Sequence, residues 1–315
     1  MTGYIITSDH RTYALPQLIA WNLTYTGSVP CDSFAVTFLY EKAMAQPLHL
    51  AAGFSAMENG QVLLRGIVDE YTVSMTDKGL LATVRGRGYA ARLLDNESRP
   101  VTYQAATLAE IVRCHAQPYG ISCGETADVR ANSIYTVDSG TSQWKVLENF
   151  CRTYGGFSPR FDRDGRLLAA PERDSGERLV ICDETPVCSC TLREDHYGVL
   201  TEVLVIDKKQ NAAYSVRNQD MIDRGGQCRR VVYTPGQSTW AAMRYTGEYQ
   251  IARSKEGEKE ITVALPGNFK AFPGDVIKLE LSRLGIFGEY RTAEAENTFS
   301  ASGGAVETLR LKERP

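Results

Sequence analysis

Apolar side chains recur at every second position in both outer thirds of this chain. Phe34, Val36, Phe38 and Tyr40 alternate with Ala35, Thr37 and Leu39 near the start. Near the end Ile277, Leu279 and Leu281 alternate with Lys278 and Glu280, and Leu309 and Leu311 with Thr308, Arg310 and Lys312. A period of two gives a strand one apolar face, whereas a helix needs a period of 3.6. His49–Met57, Gln61–Met75 and Leu80–Arg85 are further strand candidates. Between the first two lies Glu58-Asn59-Gly60, and Asn-Gly suits a tight hairpin because both turn positions need positive φ. Tyr89–Leu94 predicts a short helix. Short strands at this spacing predict a sandwich or barrel.

The middle changes period. Thr107–Gln117 places Leu108, Ile111, Val112 and His115 on one helical face, with Thr107 and Glu110 spaced as a capping box. Pro118 and Gly120 end that helix. Ser142–Tyr154 repeats the pattern with Trp144, Leu147, Phe150 and Cys151 inward, and Gly155-Gly156 closes it. A hairpin is expected next, from Phe157–Phe161 through a turn at Asp162–Gly165 to Arg166–Ala170. The last third returns to strands at Val199–Ile206, Ala212–Arg217, Arg229–Tyr233 and Val276–Leu281, the last preceded by a Pro273-Gly274-Asp275 turn. Thr239–Ser254 predicts a helix interrupted only by Gly247. No repeat of 20–50 residues suggests a solenoid. The expected fold class is mainly β with an α+β insert, in three parts: 1–95, 96–172 and 173–315.

A length of 315 residues fits two or three domains. With 43% hydrophobic and 23% charged residues the chain is globular rather than disordered. A net charge of −3 argues against coating nucleic acid by bulk charge, and no sequence-specific nucleic-acid motif appears. No apolar run approaches the ~20 residues of a membrane span. The opening MTGYIITSDHRTY lacks the pattern of a secretory signal, so synthesis in a cytoplasm is expected. In that compartment the eight cysteines read as small apolar residues rather than disulfides.

The candidates for chemistry each have a plainer reading. Cys182, Cys188, Cys190 and His196 offer three thiolates and an imidazole, but paired zinc knuckles are missing, and Cys188 and Cys190 fit neighbours on a strand face. Asp162-Arg163-Asp164-Gly165 begins like a calcium loop, yet Leu167–Ala170 follow where oxygen ligands belong, so a hairpin turn is expected. Gly86 and Gly88 in RGRG open neither a dinucleotide fold nor a phosphate loop. Arg85 and Arg87 read as a solvated strand end rather than a polyanion site. Among His10, His49, His115 and His196 no metalloprotease or nucleophile-elbow pattern occurs. His115 reads as a hydrogen-bonded core histidine, and Trp144 and Trp240 as core packing. We therefore expect no enzyme, and assign no catalytic, metal or cofactor-binding residue.

The order of the pieces carries a resemblance. VLLRGIVDEYTV followed by LLATVRGRGYAARLLDNE is similar to the end of the first domain of contractile-tail baseplate hub proteins, the late control protein D family of phages and tailocins. TYQAATLAEIVRCHAQPYGI and SQWKVLENFCRTYGGFSPRFDRDGRLLAAP resemble the insert of such hubs, and ITVALPGNFKAFPGDVIKLEL, GIFGEYRTAEAENTFS and VETLRLK their closing strands. Residues 62–172 and 255–315 carry most of it, and 174–235 do not align.

This resemblance implies two tail-tube-like β-barrel domains plus a small α+β domain, the second barrel assembled from 173–235 and 256–315 with a helical connection near 239–254. It implies a structural hub: a homotrimer whose six barrels stack under a sixfold tail tube and hold a threefold central spike. The implied partners are the tail tube protein, the central spike protein, the tape measure protein and other baseplate proteins, with no membrane. The implied location is the tail baseplate of a virion or tailocin, made in the host bacterial cytoplasm. A different class, a peptidoglycan-binding or peptidoglycan-degrading tail protein, is suggested by a likeness of TYQAATLAEIVRCHAQPYGI to wall-binding LysM modules. A tail chaperone or fibre adaptor is a third.

Overall fold

The computed structural model describes residues 1–27, 31–77, 79–131, 134–174, 178–207, 209–234, 240–255 and 257–313. The chain is mainly β with an α+β insert. It divides into two compact units, Met1–Cys188 with Ala264–Leu309, and Ser189–Val263 with Arg310–Pro315.

The first unit opens with β1 (Thr2–Thr7), β2 (Thr12–Ala14), β3 (Leu18–Thr26), β4 (Ser33–Leu39), the short α1 (Ala45–His49), β5 (Ala51–Glu58), β6 (Gln61–Thr76) and β7 (Gly79–Gly88). Their order is β3-β4-β7-β6-β5-β1-β2, antiparallel throughout. The alternation in β4 does what its period predicts, burying Phe34, Val36 and Phe38 beside Phe54, Ala82 and Val84. Asn59 (φ 51°) and Gly60 (φ 80°) make the expected two-residue hairpin. The strand expected from His49 begins at Ala51, because 45–49 close a helical turn that buries Leu48.

The glycines of RGRG are structural. A Cβ on Gly86 would lie 1.9 Å from the Ile67 carbonyl oxygen and 2.6 Å from the Phe34 ring. One on Gly66, across the ladder, would lie 2.2 Å from the Arg87 carbonyl oxygen. The register of β6 against β7 slips between Val68 and Glu70, and the glycines let the two backbones approach at that bulge.

The insert carries α2 (Ala91–Leu94), β8 (Val101–Tyr103), α3 (Leu108–His115), β9 (Cys123–Thr126), β10 (Tyr135–Val137), α4 (Gln143–Phe150), β11 (Arg160–Phe161) and β12 (Leu167–Ala169). Thr107 Oγ1 accepts the Glu110 N–H and Ser142 Oγ the Lys145 N–H, each at 3.2 Å, so both helices start where their caps predict. Leu108, Ile111, Trp144, Leu147, Phe150 and Leu167 form one core cluster. Asp162–Gly165 is the hairpin turn: the Gly165 N–H donates to the Asp162 carbonyl at 2.9 Å, with Gly165 at φ 75°.

The remaining elements are β13 (Arg178–Cys182), β14 (Ser189–Glu194), β15 (Glu202–Asp207), β16 (Ala212–Arg217), α5 (Gln219–Asp223), β17 (Arg229–Thr234), α6 (Trp240–Lys255), β18 (Lys259–Pro266), β19 (Val276–Leu281), β20 (Ile286–Ser300) and β21 (Gly304–Glu313). Thr239, where the sixth helix was expected to begin, lies outside the described residues. In the first unit β19 pairs parallel with β13 and antiparallel with the start of β20. The rest of β20 pairs with β3, so the last strands complete the sheet that the first ones begin.

In the second unit β16, β15 and β17 form a sheet, with β17 parallel to β15. Val203 and Val205 pack with Met243 and Ile251 of α6. Gly247 sits where the helix meets the sheet, since a Cβ there would fall 2.4 Å from Val216 Cγ2.

Candidate functional surfaces

Buried polar groups that sequence alone could mistake for catalytic ones are tied into the core. His115 Nδ1 lies 2.7 Å from Gln143 Oε1, and its Nε2 lies 2.9 Å from Tyr103 Oη. Gln143 uses its amide nitrogen on the Glu97 carbonyl and on Tyr119 Oη, so Oε1 faces His115 as an acceptor. That orientation fixes a proton on Nδ1 and leaves Nε2 to accept from Tyr103. Burial holds the His115 pKa below its ordinary value. The expected core histidine is what the structure contains.

The thiols follow the same pattern. All eight cysteines are free. Burial pushes Cys31 up to about 11 and Cys151 up to about 12, which keeps both protonated and poorly nucleophilic at neutral pH. Cys182 ends β13 and donates to Glu184 Oε2 at 3.1 Å, while Cys190 lies within β14 and Cys188 just before it. Among the described residues no group of three or more His, Cys, Asp or Glu side chains is placed to hold a metal ion.

Arg87 is not a loose strand end. Its Nε and Nη2 donate to the two oxygens of Asp69 at 2.8 and 3.0 Å, and Nη1 and Nη2 to Asp95 at 3.1 and 2.8 Å. The guanidinium holds the Asp95 carboxyl below the usual carboxylate range. Arg85 lies 3.9 Å from Glu70. These pairs brace the base of the β6–β7 hairpin rather than present cations to a polyanion.

Beyond that brace the hairpin is open. Residues 69–76 of β6 are all exposed, Met75 to 84%. Tyr71 pairs with Val84, Val73 with Ala82 and Met75 with Leu80, while Val84 and Ala82 pair on the other side with Val36 and Phe38. The last four named residues before the exposed stretch belong to the core, so the same apolar row runs outward past the last covering strand. Sequence shows the alternation of this segment but not which stretch of it is covered.

The second unit carries a comparable surface. Val231 and Tyr233 project from the sheet side opposite Val232, which packs toward the core. On α6, Trp240, Tyr245 and Tyr249 are all at least half exposed, and Arg244 lies over the Tyr245 ring at 5.1 Å. Trp240 corrects the expectation of core packing. It meets the edge of Tyr214 with ring centroids 5.1 Å apart and keeps its other faces open. Trp, Tyr and Arg together are the residues that most often anchor protein contacts.

A cleft of about 680 Å³ in the first unit is lined by Tyr25, Asp32, Arg163, Lys270, Phe272 and Asp275, among others. Arg163 lies over the Phe272 ring at 4.1 Å. Burial pushes Asp32 up to about 6 although the Thr26 N–H donates to it at 2.8 Å. Buried Glu307 accepts the N–H groups of Lys270 and Ala271, which pins the loop that walls the cleft. These groups shape a loop, and the Thr26 hydroxyl donates to Asp32 as well, at 3.3 Å.

No protein-family model matches the chain, and no curated protein matches it. Solved structures do. The tail protein from Neisseria meningitidis MC58 superposes with a TM-score of 0.80 at 15% identity, covering 99% of this chain and 96% of its own. The 43 kDa tail protein of prophage MuSo2 from Shewanella oneidensis gives 0.80 at 15% identity over 99% and 97%. The E. coli c3393 protein, a type VI secretion component described as structurally similar to the T4 tail proteins gp27 and gp5, gives 0.60 at 10% over 95% and 74%. At such identities the likeness speaks to the fold. The chain therefore has the fold of these tail proteins.

Proposed function

We propose that this protein is a structural baseplate hub of a contractile phage tail or tailocin. Three copies form a ring that joins a sixfold tail tube to a threefold central spike. The observation that carries the reading is the likeness to two tail proteins, one of them from a prophage, at a TM-score of 0.80 over 99% of the chain. The surfaces agree in kind: the open side chains are apolar rows and aromatic anchors suited to protein partners. In this reading the β regions of 1–95 and 173–315 are the two tube-like domains, 96–172 is the insert between them, and the protein is not an enzyme. Its partners are its own copies, the tube, the spike, and the tape measure and other baseplate proteins, within the tail of the particle.

Copy number and symmetry in an electron-microscopy map of the intact baseplate test the reading. Three copies around the central channel are expected, about 105 kDa in one closed ring at 34.9 kDa each. Six copies, or a place at the sheath periphery, would overturn it. A cell-wall zymogram should show no clearing, and clearing abolished by mutating one carboxylate would favour a peptidoglycan-active protein instead.

A further inference from the structure

Two strands of this chain end in the same unfinished pattern. β5 pairs with β6 only over Gln61–Ile67, so past the bulge β6 is bonded, among the described residues, to β7 alone. Residues 69–75 then offer a row of backbone donors and acceptors along that edge. That edge contains no proline or lysine, the residues that usually block strand addition. In the second unit β17 is bonded, among the described residues, to β15 alone. Val231 is 46% exposed and Tyr233 57%.

We infer that β6 of one copy pairs in parallel with β17 of a second copy. Charge complementarity decides both partner and direction. The open part of β6 begins Asp69-Glu70, and β17 begins Arg229-Arg230, all four exposed. A parallel alignment sets acids beside bases, whereas the antiparallel one that keeps the apolar rows together sets Glu70 against Thr234 and Arg230 against Ser74. In the parallel register Glu70 lies by Arg230, Tyr71 by Val231 and Val73 by Tyr233. Both strands have a period of two and are in phase, so their apolar rows merge on one face.

The outer charges are already paired within the chain, Asp69 with Arg87 and Arg229 with Glu202 at 2.6 Å, so the match rests on the two central ones, which are only loosely held. Glu70 lies 3.9 Å from Arg85, both half exposed, and Arg230 donates to the neutral Gln250 amide at 3.0 Å. The contact joins two different patches, so it propagates from copy to copy and must either close or run on. The inference deepens the ring reading above, and its closure at three copies rests on that reading.

The test is a cysteine pair, Val73→Cys with Tyr233→Cys, in the full chain carried in assembled tail particles. Neighbours across adjacent strands lie about 5 Å apart, within disulfide reach. Mild oxidation should link copies into a covalent ladder, and either new cysteine alone should give none. Assembled particles without a ladder, or a covalent band containing a different tail protein, overturn the pairing. Counting copies in the same particles separates the two readings: a ladder with another copy number keeps the pairing and removes the threefold hub, and three copies without a ladder do the reverse. A charge exchange covers the case in which the cysteines block assembly. Glu70→Arg or Arg230→Glu alone should lower particle yield about tenfold, and the double variant should restore it. A double variant as defective as the singles overturns the pairing.

Discussion

At the scale of single residues the chain's titratable groups make opposite demands on pH. His115 has a folded pKa below its ordinary 6.5, caused by burial. Its contribution to stability is therefore present above about pH 6.5 and lost as the pH falls through the lowered folded value. His115→Gln, which cannot take the proton, should lower stability overall and make Tm less sensitive to acid between pH 7 and pH 5 than in the unaltered chain. Asp32 has the reverse sign. Its folded pKa is raised to about 6 from 3.8, so its contribution is present below pH 3.8 and lost as the pH rises through about 6. Asp32→Asn keeps an oxygen for the Thr26 N–H and should add about 1–2 kcal/mol at pH 8 relative to pH 4, read by denaturant titration at both. The inward face of His115 was legible from its helical spacing. The environment of Asp32 was not, because the loop near Phe272 that walls its cleft lies some 240 residues away in sequence, a separation that periodicity does not report.

Elements were legible where one face is buried and the other wet. β4 and α3 follow their alternation and caps to within two residues, whereas α4 starts at its cap but ends at Phe150, four residues before the expected Tyr154, and a π-helical turn carries the chain on to Gly155. The sequence signal fails where tertiary contact overrides it. Gly247 looks like a defect in α6, and propensity favours alanine there by about 1 kcal/mol. The Val216 side chain, 2.4 Å from where a Cβ would stand, should reverse that sign. Gly247→Ala is expected to destabilise the second unit by about 1–3 kcal/mol in a denaturant titration. Gly86→Ala, which would drive a methyl into the Ile67 carbonyl and the Phe34 ring, should cost about 3 kcal/mol or more and remove soluble expression at 37 °C. The exposed end of β6 was read as an ordinary strand because alternation records which side chains share a face and not whether anything covers it.

At the scale of the whole molecule, the sequence gives β regions flanking a helical insert, while contacts group the first and last strands into one unit. Pairing between distant segments leaves no periodic trace, which is why the grouping was not readable. Hydrogen exchange offers a molecule-wide check. Amides on the outer edges of residues 69–75 and 229–232 should exchange faster in the isolated chain than in assembled particles. Amides between β20 and β3 should be protected in both.

The pairing of β20 with β3 also sets a timetable for the ribosome. The Asn22 side-chain amide meets the Glu296 carboxylate across 274 residues of chain. At translation rates of about 5–20 residues per second, β3 emerges roughly 15–55 s before the strand that covers its edge. Through that interval the nascent chain carries an unsealed ladder and cannot close its sheet by waiting for local contacts alone. Production of the unaltered protein should therefore rise with chaperone supply and with a lower growth temperature.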